Sequence, residues 1–267
     1  MKLNRKSVAK PWGQSTLPDI FGEQPSEKTG EIWFEAPKSV TPALMIKYLF
    51  TSEKLSIQVH PNDRQARRQG FPHGKEECWY ILDAEPDAVL GLGLTKEVSK
   101  TKLHAAVVCG QLEPLIDWKP VQTGDFFYVP AGTIHAIGPG VTLIEVQQNV
   151  DVTYRLYDYG RGRDLHLEDA LAVSTLSPYD MKHQQQVDAD QSLQLQNGPH
   201  FRLFQIIDSD ADVLSDINAP EWQIIPLEGE VTVRDQVIVA GECGLCTKAS
   251  EIDLRDNKKC LIACTAK

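Results

Sequence analysis

The sequence has no apolar run long enough to cross a membrane, no surplus of positive charge and little helical periodicity. Lysine and arginine number 27 against 37 aspartates and glutamates, a formal charge of −10. That balance gives no electrostatic footprint for nucleic acid and no general attraction to an anionic lipid surface, so neither is an expected partner. The basic stretch Met1–Lys6 is followed by Lys10, Pro11 and Gly13, where a secretory leader would need an apolar core. The expected compartment is therefore the cytoplasm. Six cysteines in 267 residues do not make a disulfide-dense miniprotein, and without a secretory signal reduced thiols are expected. What is present is ordinary globular material, 42% hydrophobic and 24% charged, which excludes disorder and collagen.

The patterning is that of a β protein. Short apolar or alternating runs, punctuated by Gly, Pro, Asn and Asp, predict strands over 45–50, 55–59, 78–82, 105–108, 125–129, 141–146 and 153–157. In 57–60 the alternation sets Ile57 and Val59 on one face and Gln58 and His60 on the other, two potential ligands side by side. Helices are expected only over 164–176 and, in competition with the 105–108 strand, within 96–109. The segment 63–75 reads as a helix or an exposed loop. A glutamine-rich, apolar-poor stretch at 181–197 marks a boundary, after which strands resume at 201–207, 222–226, 230–234, 237–240 and 260–264. The expected organisation is a unit over 1–180 carrying the chemistry and a smaller β unit over 181–267, all-β with a few short helices.

The strongest local signal is Gly124-x5-Pro130-x-Gly132-x2-His135, a turn fixed by Pro and Gly that delivers a histidine to the next strand. It resembles the second motif of the cupin superfamily, with Pro139 where that motif ends in Asn. Gln58-x-His60 followed by Glu77 resembles the first cupin motif, with Gln58 in place of its first histidine and a longer gap before the acid. His60, Glu77 and His135 make a set of two histidines and one carboxylate, to which Gln58 adds a neutral oxygen. Such a set suits Zn²⁺ with open coordination positions, or Fe²⁺ as a facial triad, and spacing does not choose between them.

A longer resemblance does. SIQVHPND (56–63), GKEECWYIL (74–82), YVPAGTIH (128–135) and QQNVDVTYRLYDYGR (147–161), with KPWG (10–13) and GEIW (30–33), are similar in order and content to the short bacterial form of type I phosphomannose isomerase. The resemblance covers roughly residues 10–175. It implies two cupin-like jelly rolls, the second degenerate and covering one face or edge of the first. It also implies one zinc ion per chain and interconversion of mannose 6-phosphate and fructose 6-phosphate through an enediol. By the same resemblance the metal ligands fall on Gln58, His60, Glu77 and His135, and the catalytic arginine on Arg155. A lysine beside the metal carboxylate falls on Lys75, and acidic substrate-binding neighbours on Glu145 and Asp151. Glu77 rather than Glu76 is taken as the ligand because it directly precedes Cys78-Trp79-Tyr80. Val150 departs from the family pattern, where a small polar residue is commoner.

The residues admit rival roles. Arg155 could be a structural partner of Asp151 or Asp158, Lys75 a solvated loop residue, and Glu145 a structural strand acid. Trp12 and Trp33 read as packing anchors rather than sugar platforms. Cys243-x2-Cys246 and Cys260-x3-Cys264 could suggest a second zinc site, but an odd offset on a strand sends Cys243 and Cys246 to opposite faces, which favours core packing. An isomerase of an unphosphorylated or different sugar and a non-catalytic sugar-binding regulator are the competing functions.

Overall fold

A computed structural model describes residues 1–22 and 24–266 of the chain. Its centre is a seven-stranded antiparallel sheet, ordered Asn4–Gln14, Thr29–Glu35, Leu44–Phe50, Val141–Gln148, Glu77–Ala84, Asp125–Val129, Gln184–Gln186. Both faces of its inner strands are buried, which is why those strands read as almost unbroken apolar runs. Alternation divides them. Trp79, Ile81, Leu143 and Phe127 pack inward against Leu90, Leu92 and Ile137. Cys78, Tyr80, Ile144 and Phe126 pack outward against Phe201, Leu203, Ile225 and Leu261.

The inward partners belong to a five-stranded sheet, ordered Tyr154–Tyr157, Ile57–Val59, His135–Ile137, Val89–Leu94, Ile116–Pro120. The two sheets form a jelly-roll-like sandwich. The far side of the smaller sheet is covered by the helices Lys100–Val108 and Leu167–Val173, through Leu103, Val107, Leu171 and Val173 packed on Ile57, Val59 and Ala136. The outward partners belong to a third sheet, Leu193–Asn197, Phe201–Ile207, Asn257–Thr265, Trp222–Val233, Gln236–Val239, which has a separate core around Phe204, Trp222 and Ile262 on its far side. We propose that the division into two units follows the seam between the central and third sheets. Contacts across it include the Tyr80 hydroxyl donating to Gln205 at 3.1 Å and the Gln223 amide donating to the Leu44 carbonyl at 2.8 Å. Gln184–Gln186, beyond residue 180, pairs with Asp125–Val129. Near the start of the chain, Leu3 donates its N–H to the Cys243 carbonyl at 2.8 Å and Met1 accepts from the Leu245 N–H at 2.7 Å.

Two local readings need correction. Residues 105–108 lie in the helix Lys100–Val108, whose N-cap Ser99 accepts from the Lys102 N–H, rather than in a strand. The separate strands expected at 222–226 and 230–234 are one strand, Trp222–Val233, bent by register shifts around Pro226 and Glu228 that carry it from one partner to the next. Cys243 joins the core between the units and Cys246 the core beyond the third sheet, the opposite faces their spacing implies.

Candidate metal centre and its cleft

Four strands deliver the central residues. Gln58 lies in Ile57–Val59, with His60 just beyond its end. His135 opens His135–Ile137 and stands opposite Gln58 in register. Glu77 opens Glu77–Ala84, and Arg155, on the far side of Gln58, pairs with it from Tyr154–Tyr157. The bend that frees His135 depends on Gly132, whose φ of +89° is left-handed and whose N–H bonds the His60 carbonyl at 2.8 Å.

His60, Glu77 and His135 are 2%, 0% and 1% exposed. His60 Nδ1 lies 2.8 Å from the Val152 carbonyl and His135 Nδ1 2.9 Å from the Thr133 carbonyl. A carbonyl only accepts, so each ring carries its proton on Nδ1 and turns the Nε2 lone pair inward. Those Nε2 atoms lie 3.5 Å and 3.4 Å from the two oxygens of Glu77. Ligands at bond lengths near 2.1 Å around a tetrahedral ion are separated by about 3.4 Å, so the spacing suits a small divalent cation. Glu77 Oε1 is buried with no hydrogen-bond partner. The set can hold a metal ion, and it is the one such group of three or more among the described residues.

The electrostatics agree. Burial holds both histidines neutral, with His135 lowered to about 4 and His60 lowered further by the Lys75 and His135 charges. Burial and the nearby Glu145 charge raise Glu77 to about 7 against the pull of Lys75. Lys75 holds one oxygen of that carboxylate, and a dication would meet the other, unpartnered Oε1. Gln58 stands at the rim of the set, its amide nitrogen 3.4 Å from His135 Nε2 and its oxygen accepting from Ser56. A half-turn of the amide exchanges NH₂ for oxygen.

Lys75 is buried rather than solvated. Its Nζ lies 3.1 Å from His60 Nε2, pairs with Glu77 and is 3.9 Å from Glu145. Burial opposes its charge, but Glu145 and Glu77 raise its pKa and keep it an ammonium. Glu145 accepts from Lys47 at 3.2 Å and from the Trp79 indole at 3.2 Å. Burial pushes Glu145 up, but Lys75 and Lys47 overrule it and hold its carboxyl at about 2. Asp151 is exposed at the cleft wall. Arg155 makes no carboxylate pair among the described residues. Its Nη1 donates to the Asp164 carbonyl at 3.0 Å and its Nε is buried without a partner. Asp158 instead receives Arg163 at 2.7 Å and Arg161 at 3.4 Å.

Gln58, Lys75, His135, Glu145, Asp151 and Arg155 line a cleft of about 550 Å³. Arg155, Arg163 and His166 come to it from the strand Tyr154–Tyr157 and the segment after it, and Lys10, Trp12, Glu31 and Trp33 from the first two strands of the central sheet. Lys47 was not visible as a site residue from sequence. It sits in an apolar strand, and only the pairing of that strand with Val141–Gln148 sets it opposite Glu145.

Over 213 residues the chain is 35% identical to mannose-6-phosphate isomerase of Streptococcus mutans, an alignment spanning 65% of this chain and 67% of that protein. Over 211 residues it is 35% identical to mannose-6-phosphate isomerase ManA of Bacillus subtilis, spanning 64% and 67%. The chain belongs to the mannose-6-phosphate isomerase family. Solved structures show the same fold along its whole length. The mannose 6-phosphate isomerase from Bacillus subtilis aligns over 98% of both chains with a TM-score of 0.75 at 24% identity. A mutant phosphomannose isomerase from Salmonella typhimurium aligns over 100% of this chain and 99% of its own with a TM-score of 0.70 at 14% identity. No family model matches the chain. As a member of the mannose-6-phosphate isomerase family it has the mostly antiparallel β architecture expected from its strands.

Proposed function

We propose that the chain interconverts mannose 6-phosphate and fructose 6-phosphate, using a zinc ion held by His60, Glu77 and His135, with Gln58 as a further oxygen donor. The carrying observation is the buried ligand set with both Nδ1 protons committed to carbonyls, in a chain of this family. When bound, the ion supplies Lewis acidity for sugar oxygens.

The remaining work falls to side chains. Isomerisation moves a proton between C1 and C2 through a cis-enediol, so negative charge grows on oxygen. Arg155, with its buried Nε uncommitted, stabilises that oxygen or orients the sugar. The Lys75 ammonium stands at the floor beside His60, placed to donate to a substrate hydroxyl or carbonyl oxygen. Glu145 keeps Lys75 charged, and Asp151 at the wall is placed to accept from sugar hydroxyls. Arg155 and Arg163, both lining the cleft, offer cationic partners for the phosphate.

A coupled assay on purified protein tests this with mannose 6-phosphate and, separately, free mannose, before and after chelation and zinc restoration. The expected result is turnover of the phosphorylated sugar alone, lost on chelation and restored by zinc. Turnover of free mannose would move the specificity. Inactivity on both with zinc bound would overturn this reading in favour of a sugar-binding regulator or another substrate.

A further inference from the structure

The ligand histidines and Glu77 are carried by segments remote in sequence, and their spacing depends on how those segments are joined. Pro61 accepts the Lys75 N–H at 3.0 Å. Asp63 Oδ1 accepts the Gly74 N–H at 2.9 Å and Gln148 Nε2 at 3.1 Å. The other end of that amide, Gln148 Oε1, accepts the Glu76 N–H at 3.0 Å, and the Gln148 N–H returns to the Glu76 carbonyl at 3.1 Å. The contact is close enough to require glycine at 74, since a Cβ there would lie 2.4 Å from the Pro61 carbonyl oxygen.

One carboxylate oxygen therefore ties together the turn after His60, the segment bearing Lys75 and Glu77, and the end of the strand Val141–Gln148. Asp63 touches no ligand and does not line the cleft. Its second oxygen faces outward, where Arg67 Nη2 pairs with it at 2.9 Å one helical turn along. Helix capping is handled separately by Asn62, which accepts from the Gln65 N–H. The inward bonds are thus not needed to start the helix.

We propose that Asp63 is a positioning residue for the metal centre. By clamping Gly74 and Gln148 it fixes the separation of His60 from Glu77 and so sets metal affinity. This rests on the metal reading above. Removing a direct hydrogen-bond partner of a metal ligand weakens metal binding by about 10- to 100-fold, and Asp63, which acts through the backbone one step further out, belongs at the lower end, about tenfold.

The test measures zinc affinity by chelator competition in wild type, Asp63→Ala, Asp63→Asn and Arg67→Ala. It also measures the thermal midpoint of each metal-free protein and amide exchange at Gly74, Lys75 and Glu76. Zinc should bind Asp63→Ala about tenfold more weakly, with much of the loss recovered in Asp63→Asn, which keeps an acceptor oxygen. Arg67→Ala should bind as wild type, and the three amides should exchange faster in Asp63→Ala alone. Wild-type affinity in Asp63→Ala, or an equal loss in Arg67→Ala, overturns the proposal. If wild type takes up no zinc, the metal reading fails, and the clamp is judged by the three amides, unchanged exchange overturning it. Should Asp63→Ala not fold, Gln148→Ala breaks the same clamp from its other side. Weakened zinc binding there supports the proposal and wild-type affinity overturns it.

Discussion

Lys47 and Glu145 face each other on paired strands with 3.2 Å between ammonium and carboxylate, both side chains almost wholly buried. Lys47 also donates to Gln147 at 2.8 Å. Breaking a buried pair by removing one partner strands the other charge and costs more than the pair itself contributes. Lys47→Met should therefore destabilise the protein by about 3 kcal/mol in urea unfolding. The double variant Lys47→Met/Glu145→Gln should recover part of that loss. A double variant as unstable as the sum of both single changes would show that the pair is not coupled.

The buried histidines make the metal-free protein acid-sensitive in a defined window. An unfolded His135 titrates near the ordinary value of about 6.5, whereas burial lowers the folded group to about 4. Between those values the unfolded chain binds a proton that the folded chain does not, so stability falls as pH drops through the window and is insensitive to this group above it. His60 is lowered in the same direction, chiefly by burial, and adds to the slope. Glu77, raised to about 7 chiefly by burial, gains its proton in the folded chain over the same window and offsets part of it, so the two histidines outweigh it most toward about pH 5. Urea midpoints of the chelated protein should fall from about pH 7 to about pH 5. His135→Gln should flatten part of that slope.

Arg155 offers a donor without a carboxylate partner, so its removal leaves no stranded acid behind. Arg155→Ala should keep wild-type zinc content and lower kcat by about a hundred- to a thousandfold, the range for losing one donor to a developing oxyanion. Near-normal kcat would remove Arg155 from the chemistry.

The parts of the molecule legible in the sequence are those governed by local pattern. The strands over 44–50, 77–84, 125–129 and 141–148 carry β-rich apolar runs, and the Pro130–Gly132 turn announces His135. The order of the motif blocks pointed to His60, Glu77 and His135 before their convergence could be measured. The strand Asn4–Gln14 was missed because its first half is largely exposed and polar, giving no apolar alternation. Lys75 could be read as a solvated lysine because its burial is created by strands far away in sequence. Lys47 and Asp63 escaped for the same reason, their partners being set by strand register and by segment packing.

The bonds from Leu3 to Cys243 and from Leu245 to Met1 close the polypeptide into a ring of contacts. During synthesis the first of these residues must wait for nearly the whole chain before meeting their partners. Until then the opening segment has no partner there, whereas Gly244–Cys246 already pairs with Trp222–Val233 inside its own sheet. Such long-range pairing carries a large loop-closure entropy and slows folding. The opening segment therefore docks late, and a bulky fusion ahead of it would interfere first with the part of the protein farthest from it in sequence.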